Sequence, residues 1–291
     1  MPMPESPGAI DLMIALPPKG DPKAWYEFLK AGLHDRESLE EFEFPAQYMF
    51  HEVPHIGPVE DPVGFLLDQM DAHGIAKGML GVSNQAEESL AAIAAHPDRF
   101  FGSFEVDPNQ GMDGVRALEH AVKELGVKAA TAFPAGYTPQ VPINDKKMYP
   151  LYAKCVELDV PMVLYVGVPG PRILMSSQEV AQLDEVCWFF PELKLVTRHG
   201  GEPWQDLMVK LLLKWPNLYY STSAFAPKHY PQAIVDYANT RGADKILYAG
   251  YYAAGLSLDR IFEELPGVPF RDHVWPKFLH ENATRVFKLD E

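Results

Sequence analysis

The chain has 291 residues, 47% of them hydrophobic and 22% charged, enough for one large α/β domain or two ordinary ones with a sizeable core. Its formal net charge of −15 argues against nucleic acids and anionic membranes as partners, since both require basic patches. No apolar run is long enough to span a membrane. Met1 to Gly8 lacks the basic and apolar regions of a signal peptide, so the expected location is cytoplasmic. The two cysteines, Cys155 and Cys187, show no ligand spacing and are expected to be packed, reduced thiols.

Ile10 to Leu16 reads as a first strand, ended by Pro17 and Pro18. From there to about Asp61 the chain is irregular and rich in aromatics and prolines. So long a segment after a first strand is more often functional than decorative, and it is expected to lie over the end of the sheet. It carries His51 and His55, with Pro54 between them arguing against a regular helix.

The remainder is periodic. A helix opens at Asp61-Pro62 and ends at Gly74. Strands are expected over 75–82, 100–106, 127–133, 161–166, 193–198, 218–222 and 245–249. Helices follow them over 85–96, 112–125, 146–158, 176–190, 203–214, 230–241 and 256–265, with an additional one over 271–287. Short apolar strands alternating with amphipathic helices imply a parallel sheet, and eight such units imply a (β/α)8 TIM barrel forming a single domain over residues 1–291. The runner-up is an open doubly wound sheet, weakened by the lack of a GxGxxG turn.

A barrel of this kind carries its chemistry just past the strand ends. Those positions are Met13, Ala15, Ser83, Asn84, Glu105, Asp107, Phe133, Tyr165, His199, Thr222, Ser223, Tyr251 and Tyr252, with Arg172 and Glu202 slightly further along their loops. The set holds one imidazole and no adjacent group of nitrogen, oxygen or sulfur ligands, so it reads as metal-poor. Arg198 and His199 are neighbours in one strand, so alternation would turn one of them away from the lumen.

Several segments resemble the amidohydrolase-related metal-dependent hydrolases, in the branch containing aminocarboxymuconate-semialdehyde decarboxylase. They are Ile10-Asp11, Tyr149-Pro150-Leu151-Tyr152, Val160-Pro161-Met162-Val163, Leu193 to Val196 followed by His199-Gly200-Gly201, Pro216-Asn217-Leu218-Tyr219, and Glu281 to Phe287. The resemblance spans Ile10 to Leu289. It implies His-x-His after the first strand, where this chain has Met13 and Ala15. It implies a histidine after the fifth strand, here Tyr165, and an aspartate after the eighth, here Tyr251. The histidine of the sixth strand is kept as His199.

The resemblance therefore implies a hydrolase or decarboxylase of a small carboxylate, without the usual metal. His199 would be acid or base near neutral pH, and Tyr165 and Tyr251 would stand in the vacated pocket. Arg172, Arg198, Glu105, Met13, Phe133 and His51 would contact substrate. Two other readings stand beside this one. The first is a non-catalytic binding subunit, homo-oligomeric or paired with a homologue through the aromatic stretch Trp25 to Phe50. The second is an unusual metal site built from His199, Glu105 and His51 or His55.

Overall fold

The computed structural model describes residues 3–4, 7–50, 52–83 and 87–290. Eight parallel strands form one sheet in sequence order: β1 (Ala9–Asp11), β2 (Ile75–Val82), β3 (Phe100–Glu105), β4 (Ala129–Ala132), β5 (Met162–Tyr165), β6 (Leu195–Arg198), β7 (Leu218–Ser221) and β8 (Ile246–Leu247). Each is succeeded by a helix: α1 (Pro62–Ala72), α2 (Glu87–Ala95), α3 (Met112–Glu124), α4 (Tyr149–Leu158), α5 (Gln182–Phe189), α6 (Gln205–Lys214), α7 (Gln232–Tyr237) and α8 (Leu258–Glu264). The sheet closes on itself as a TIM barrel. No helix among the described residues is long and apolar enough to cross a membrane.

Two apolar layers hold the barrel. The lumen is filled by Ile10, Leu12, Met79, Phe101, Val163 and Val196 with their neighbours. The last helix, α9 (Asn282–Phe287), closes the amino end of the strands, its Phe287 ring 5.8 Å from Phe101. A larger cluster packs the outer faces of the strands against α1–α8. Cys155 and Cys187 are buried and unpaired, and burial pushes both thiols up to about 12, as packed thiols should behave.

The expected strands and helices are all present, most of them shorter than the apolar runs that announce them. The first strand departs most, because its pairing stops at Asp11. Its register with β2 shifts between Ala9 and Ile10, and the chain then bends at Leu12 and Met13. The seam between the first and last strands is closed instead by separate bonds. The Leu12 amide donates to the Tyr248 carbonyl (3.4 Å) and the Ala15 amide to the Tyr252 carbonyl (2.8 Å).

The Asp11 side chain completes that seam. Its Oδ1 accepts from the Met13 amide (2.9 Å) and from the Gly250 amide (2.8 Å), bridging the ends of β1 and β8. Gly250 is required there, since a Cβ would sit 2.6 Å from Asp11 Oδ2. Oδ2 is buried beside the Tyr248 hydroxyl.

The segment after β1 is not structureless. It forms a 3-10 stretch over Pro22–Gly32, a π-type turn over Glu37–Glu41 and a 3-10 turn over Gln47–Met49. Asp21 caps the first of these by accepting from the Lys23 amide, and Pro22 starts it. Arg172, in the loop after β5, fastens the segment down. It pairs with Asp35 (2.7 Å) and Glu37 (2.8 Å), and its guanidinium lies 4.5 Å from the Tyr48 ring centre.

Burial raises the Asp11 carboxyl to about 7, against 3.8 when exposed. Between those values the folded chain holds the proton better. This contribution to stability is full below pH 3.8 and is lost as pH rises through 7. Asp11→Asn keeps the Oδ1 acceptor and removes the titration. The stability of this variant relative to the parent is expected to rise by up to roughly 4 kcal/mol between pH 4 and pH 8 in urea unfolding. A difference that stays flat with pH contradicts this role.

Candidate active site

The carboxyl ends of the strands open into a cavity of about 700 Å³. Its inner wall comes from the strand ends: Met13, Ala15, Phe133, Tyr165, His199 and Tyr251. Its outer wall comes from the segment after β1, through Trp25, Tyr26, Phe28, Phe44, Met49 and Phe50. That segment therefore lies over the end of the sheet, as expected. Rings join the two walls. Phe28 meets Phe133 edge to face at 6.4 Å, and Phe50 stacks on Tyr251 at 5.6 Å.

His199 sits at the centre. Its ring meets Tyr165 edge-on at 4.8 Å and Tyr251 at 5.2 Å. The backbone makes this possible. β6 ends at Arg198, and His199 has φ 64, followed by Gly200 and Gly201, also left-handed. A Cβ on Gly200 would lie 2.7 Å from the Phe225 ring. Because strand alternation stops at Arg198, both Arg198 and His199 turn inward, where alternation alone would have separated them.

Ser223 holds the imidazole. Its Oγ accepts from the His199 amide (3.0 Å) and lies 3.0 Å from Nδ1. A bare Nδ1 accepting from the hydroxyl would leave the ring proton on Nε2, and an Nδ1–H donating to it would leave Nε2 as an acceptor. Burial, then the charge of Arg198, push the imidazole down to about 3. His199 is thus neutral at neutral pH, which corrects the expectation of a histidine titrating in that range.

Arg198 is buried beneath Tyr165. Its Nη1 donates to the Tyr165 hydroxyl oxygen (3.1 Å) and its Nη2 to the Leu12 carbonyl (3.1 Å). The Tyr165 oxygen is occupied as an acceptor, which leaves its O–H free to donate. Arg198 does not line the cavity, so its expected substrate contact becomes a contact with Tyr165. Burial raises the Glu105 carboxyl and the Arg198 charge opposes the rise. Glu105 is exposed at the end of β3. It is not part of the cavity wall.

The remaining expectations sort by placement. Met13 and Phe133 line the cavity, and Phe133 stacks on Tyr165 at 4.5 Å. Arg172 does not line it. Its Nη1 is already paired with Asp35 and Glu37, so it is corrected from substrate anchor to fastener of the overlying segment. His55 is exposed and faces Glu43 at 3.2 Å, away from His199. His51 and Asn84 lie outside the described residues. Asp107 caps the turn at Asn109, and Thr222 bonds the Ala249 backbone. Tyr26 was not singled out in the sequence. Its phenol interacts with those of Tyr165 and Tyr251, and burial raises both Tyr26 and Tyr251 above the usual phenol range. Gln178 was missed as well, a buried amide bonded to the Gly167 carbonyl.

A metal is tested by the donors present. Among the described residues no three His, Cys, Asp or Glu side chains converge. The four positions at issue offer a thioether, a methyl group and two phenols, one of them held protonated. These residues do not fit a divalent cation.

The amidohydrolase family pattern matches residues 25–289. The chain belongs to the amidohydrolase family. An uncharacterised TIM-barrel protein from Bordetella bronchiseptica superposes with a TM-score of 0.74 at 22% identity, covering 97% of this chain and 98% of that one. A 2,6-dihydroxybenzoate decarboxylase from Rhizobium superposes with a TM-score of 0.69 at 18% identity, with coverage of 97% and 98%. Both likenesses show the fold. A 2-keto-4-carboxy-3-hexenedioate hydratase from a Sphingobium strain is 30% identical over 101 residues, and the match spans only 30% of each chain. The named activities of these amidohydrolase relatives are a decarboxylase and a hydratase.

The environment of His199 yields a spectroscopic expectation. Nitrogen-15 NMR should show it as a neutral imidazole from pH 8 down to pH 5. An imidazole at this position that protonates between pH 6 and 7 contradicts the burial and Arg198 effects described.

Proposed function

We propose that the protein is a lyase acting on a ring-containing organic acid, in the manner of a decarboxylase or hydratase, and that it works without a metal. One observation carries this reading. Neutral hydrogen-bond donors from His199, Tyr165 and Tyr251 meet in one aromatic cavity at the catalytic end of the barrel. Such donors stabilise negative charge that develops on a substrate oxygen, in a setting that excludes water. Tyr165 is the strongest candidate, because Arg198 donates to its oxygen and so polarises its O–H.

The roles follow from the chemistry of each group. In the decarboxylation of a ring acid that bears a hydroxyl, a proton from water is first added to the ring carbon that carries the carboxylate. The bond between that carbon and the carboxyl carbon then breaks, carbon dioxide leaves, and the electron pair returns through the ring onto an oxygen held by Tyr165 and His199. His199, kept neutral, serves as a donor in its Nε2–H tautomer rather than as a proton shuttle. Arg198 is a positioning residue, acting on substrate through Tyr165. Phe133, Phe50 and Met13 form the apolar bed for the ring.

A second reading is a binding subunit without turnover. It is favoured by the same neutrality, since His199 and Tyr251 both stay uncharged at neutral pH and neither cycles a proton there.

The two readings separate on activity. The panel is 2,6-dihydroxybenzoate, 5-carboxyvanillate and 1-hydroxy-2-naphthoate, with carbon dioxide release as the readout. At least one acid is expected to turn over. Tyr165→Phe and His199→Ala should each lower kcat by roughly 10²-fold. Turnover that is unchanged in both variants overturns the proposed roles, and no turnover across the panel favours the binding subunit.

A further inference from the structure

The wall of the cavity constrains the ligand itself. At about 700 Å³ it falls in the upper half of the ~300–1,000 Å³ usual for sites that enclose a drug-sized molecule. A single-ring acid would leave much of that space to water. The surface offered is mainly rings: Phe133 on Tyr165 to one side of His199, and Phe50 on Tyr251 to the other. Trp25, Phe28, Met49 and Val168 line the cavity and remain exposed, so the apolar surface runs unbroken from the depth to the rim. Continuous exposed apolar surface of this kind marks a site for an apolar ligand.

Charge narrows the class further. Among the described residues, Arg260 is the one lysine or arginine of the wall, and its Nε is already given to Glu264 (3.1 Å). Arg198 lies below the surface and is committed to Tyr165 and Leu12. Glu202 adds a carboxylate to the wall. The neutral donors around His199 can satisfy one carboxylate. A second or third on the same ligand would be buried without a counter-charge, close to Glu202.

We infer that the ligand is a large, mostly apolar monocarboxylate built on fused or linked rings. Its single acid group reaches Tyr165, His199 and Tyr251, and its hydrocarbon body fills the space beneath Phe28, Phe44 and Phe50. The inference rests on the lyase reading only for the fate of the carboxylate. Binding can be read without turnover.

The test uses the full chain and isothermal titration with benzoate, 2-naphthoate and benzene-1,3,5-tricarboxylate. Burying one further ring is worth about tenfold in affinity. We expect 2-naphthoate to bind at least tenfold more tightly than benzoate, and the tricarboxylate at least tenfold more weakly. Phe28→Ala, a change at a half-exposed ring of the wall, should weaken naphthoate more than benzoate and so reduce the preference between them. Tyr165→Phe should weaken benzoate and naphthoate by the same factor. Equal affinity for the two monoacids, tightest binding of the tricarboxylate, or no binding of naphthoate overturns the inference. Tight naphthoate binding without turnover of any acid would sink the lyase reading alone. Turnover of a small polycarboxylate would sink this inference alone.

Discussion

The site depends on one buried cation. The Arg198 guanidinium spans the lumen from the end of β6 to the Leu12 carbonyl after β1 and the Tyr165 phenol on β5. A buried guanidinium is costly unless its donors are used and opposite charge is near. Here two donors are satisfied, and Asp11 and Glu105 both feel its attraction. The same charge bears on His199 and helps hold that imidazole neutral. One side chain thus joins three strand ends, orients the phenol that faces the cavity, and adds to burial in keeping its neighbour neutral.

Two of the four positions at which the resemblance implies metal ligands carry aromatic residues, Tyr165 and Tyr251, and these do more than fill space. Tyr251 is sandwiched into a ring cluster with Phe44 and Phe50 of the overlying segment. Tyr165 is stacked on Phe133, which in turn meets Phe28. The segment after β1 and the strand ends therefore share one hydrophobic surface, and the Arg172 ion pairs fix that segment from the outer side. The rings at the strand ends and the aromatic segment that covers them form one surface. The result is a cavity built for apolar contact with a few directed donors.

Much of this was legible in the sequence because barrel strands are short apolar runs between capped helices. The strand 75–82 is observed with the expected bounds. The unusual residues at Met13, Ala15, Tyr165 and Tyr251 also stood out against the resemblance. What was not legible came from three-dimensional pairing. Arg172 looked like a free anchor because Asp35 and Glu37 are 137 and 135 residues away in sequence. Asp11 looked like an ordinary strand residue, because its partner, the Gly250 amide, is at the other end of the barrel. Alternation gave Arg198 and His199 opposite faces. Only the left-handed backbone at His199, held by Ser223, lets both turn inward. The helical turns over Pro22–Gly32 were hidden because prolines and scattered aromatics mask any regular period.

The central proposal is that the site works through hydrogen-bond donors and without a metal. Its most direct test is elemental analysis of the purified protein, grown with added manganese and zinc and passed through gel filtration. The account predicts far less than one metal ion per chain. One equivalent of metal retained per chain, and lost on substituting His199 or Glu105, would contradict it.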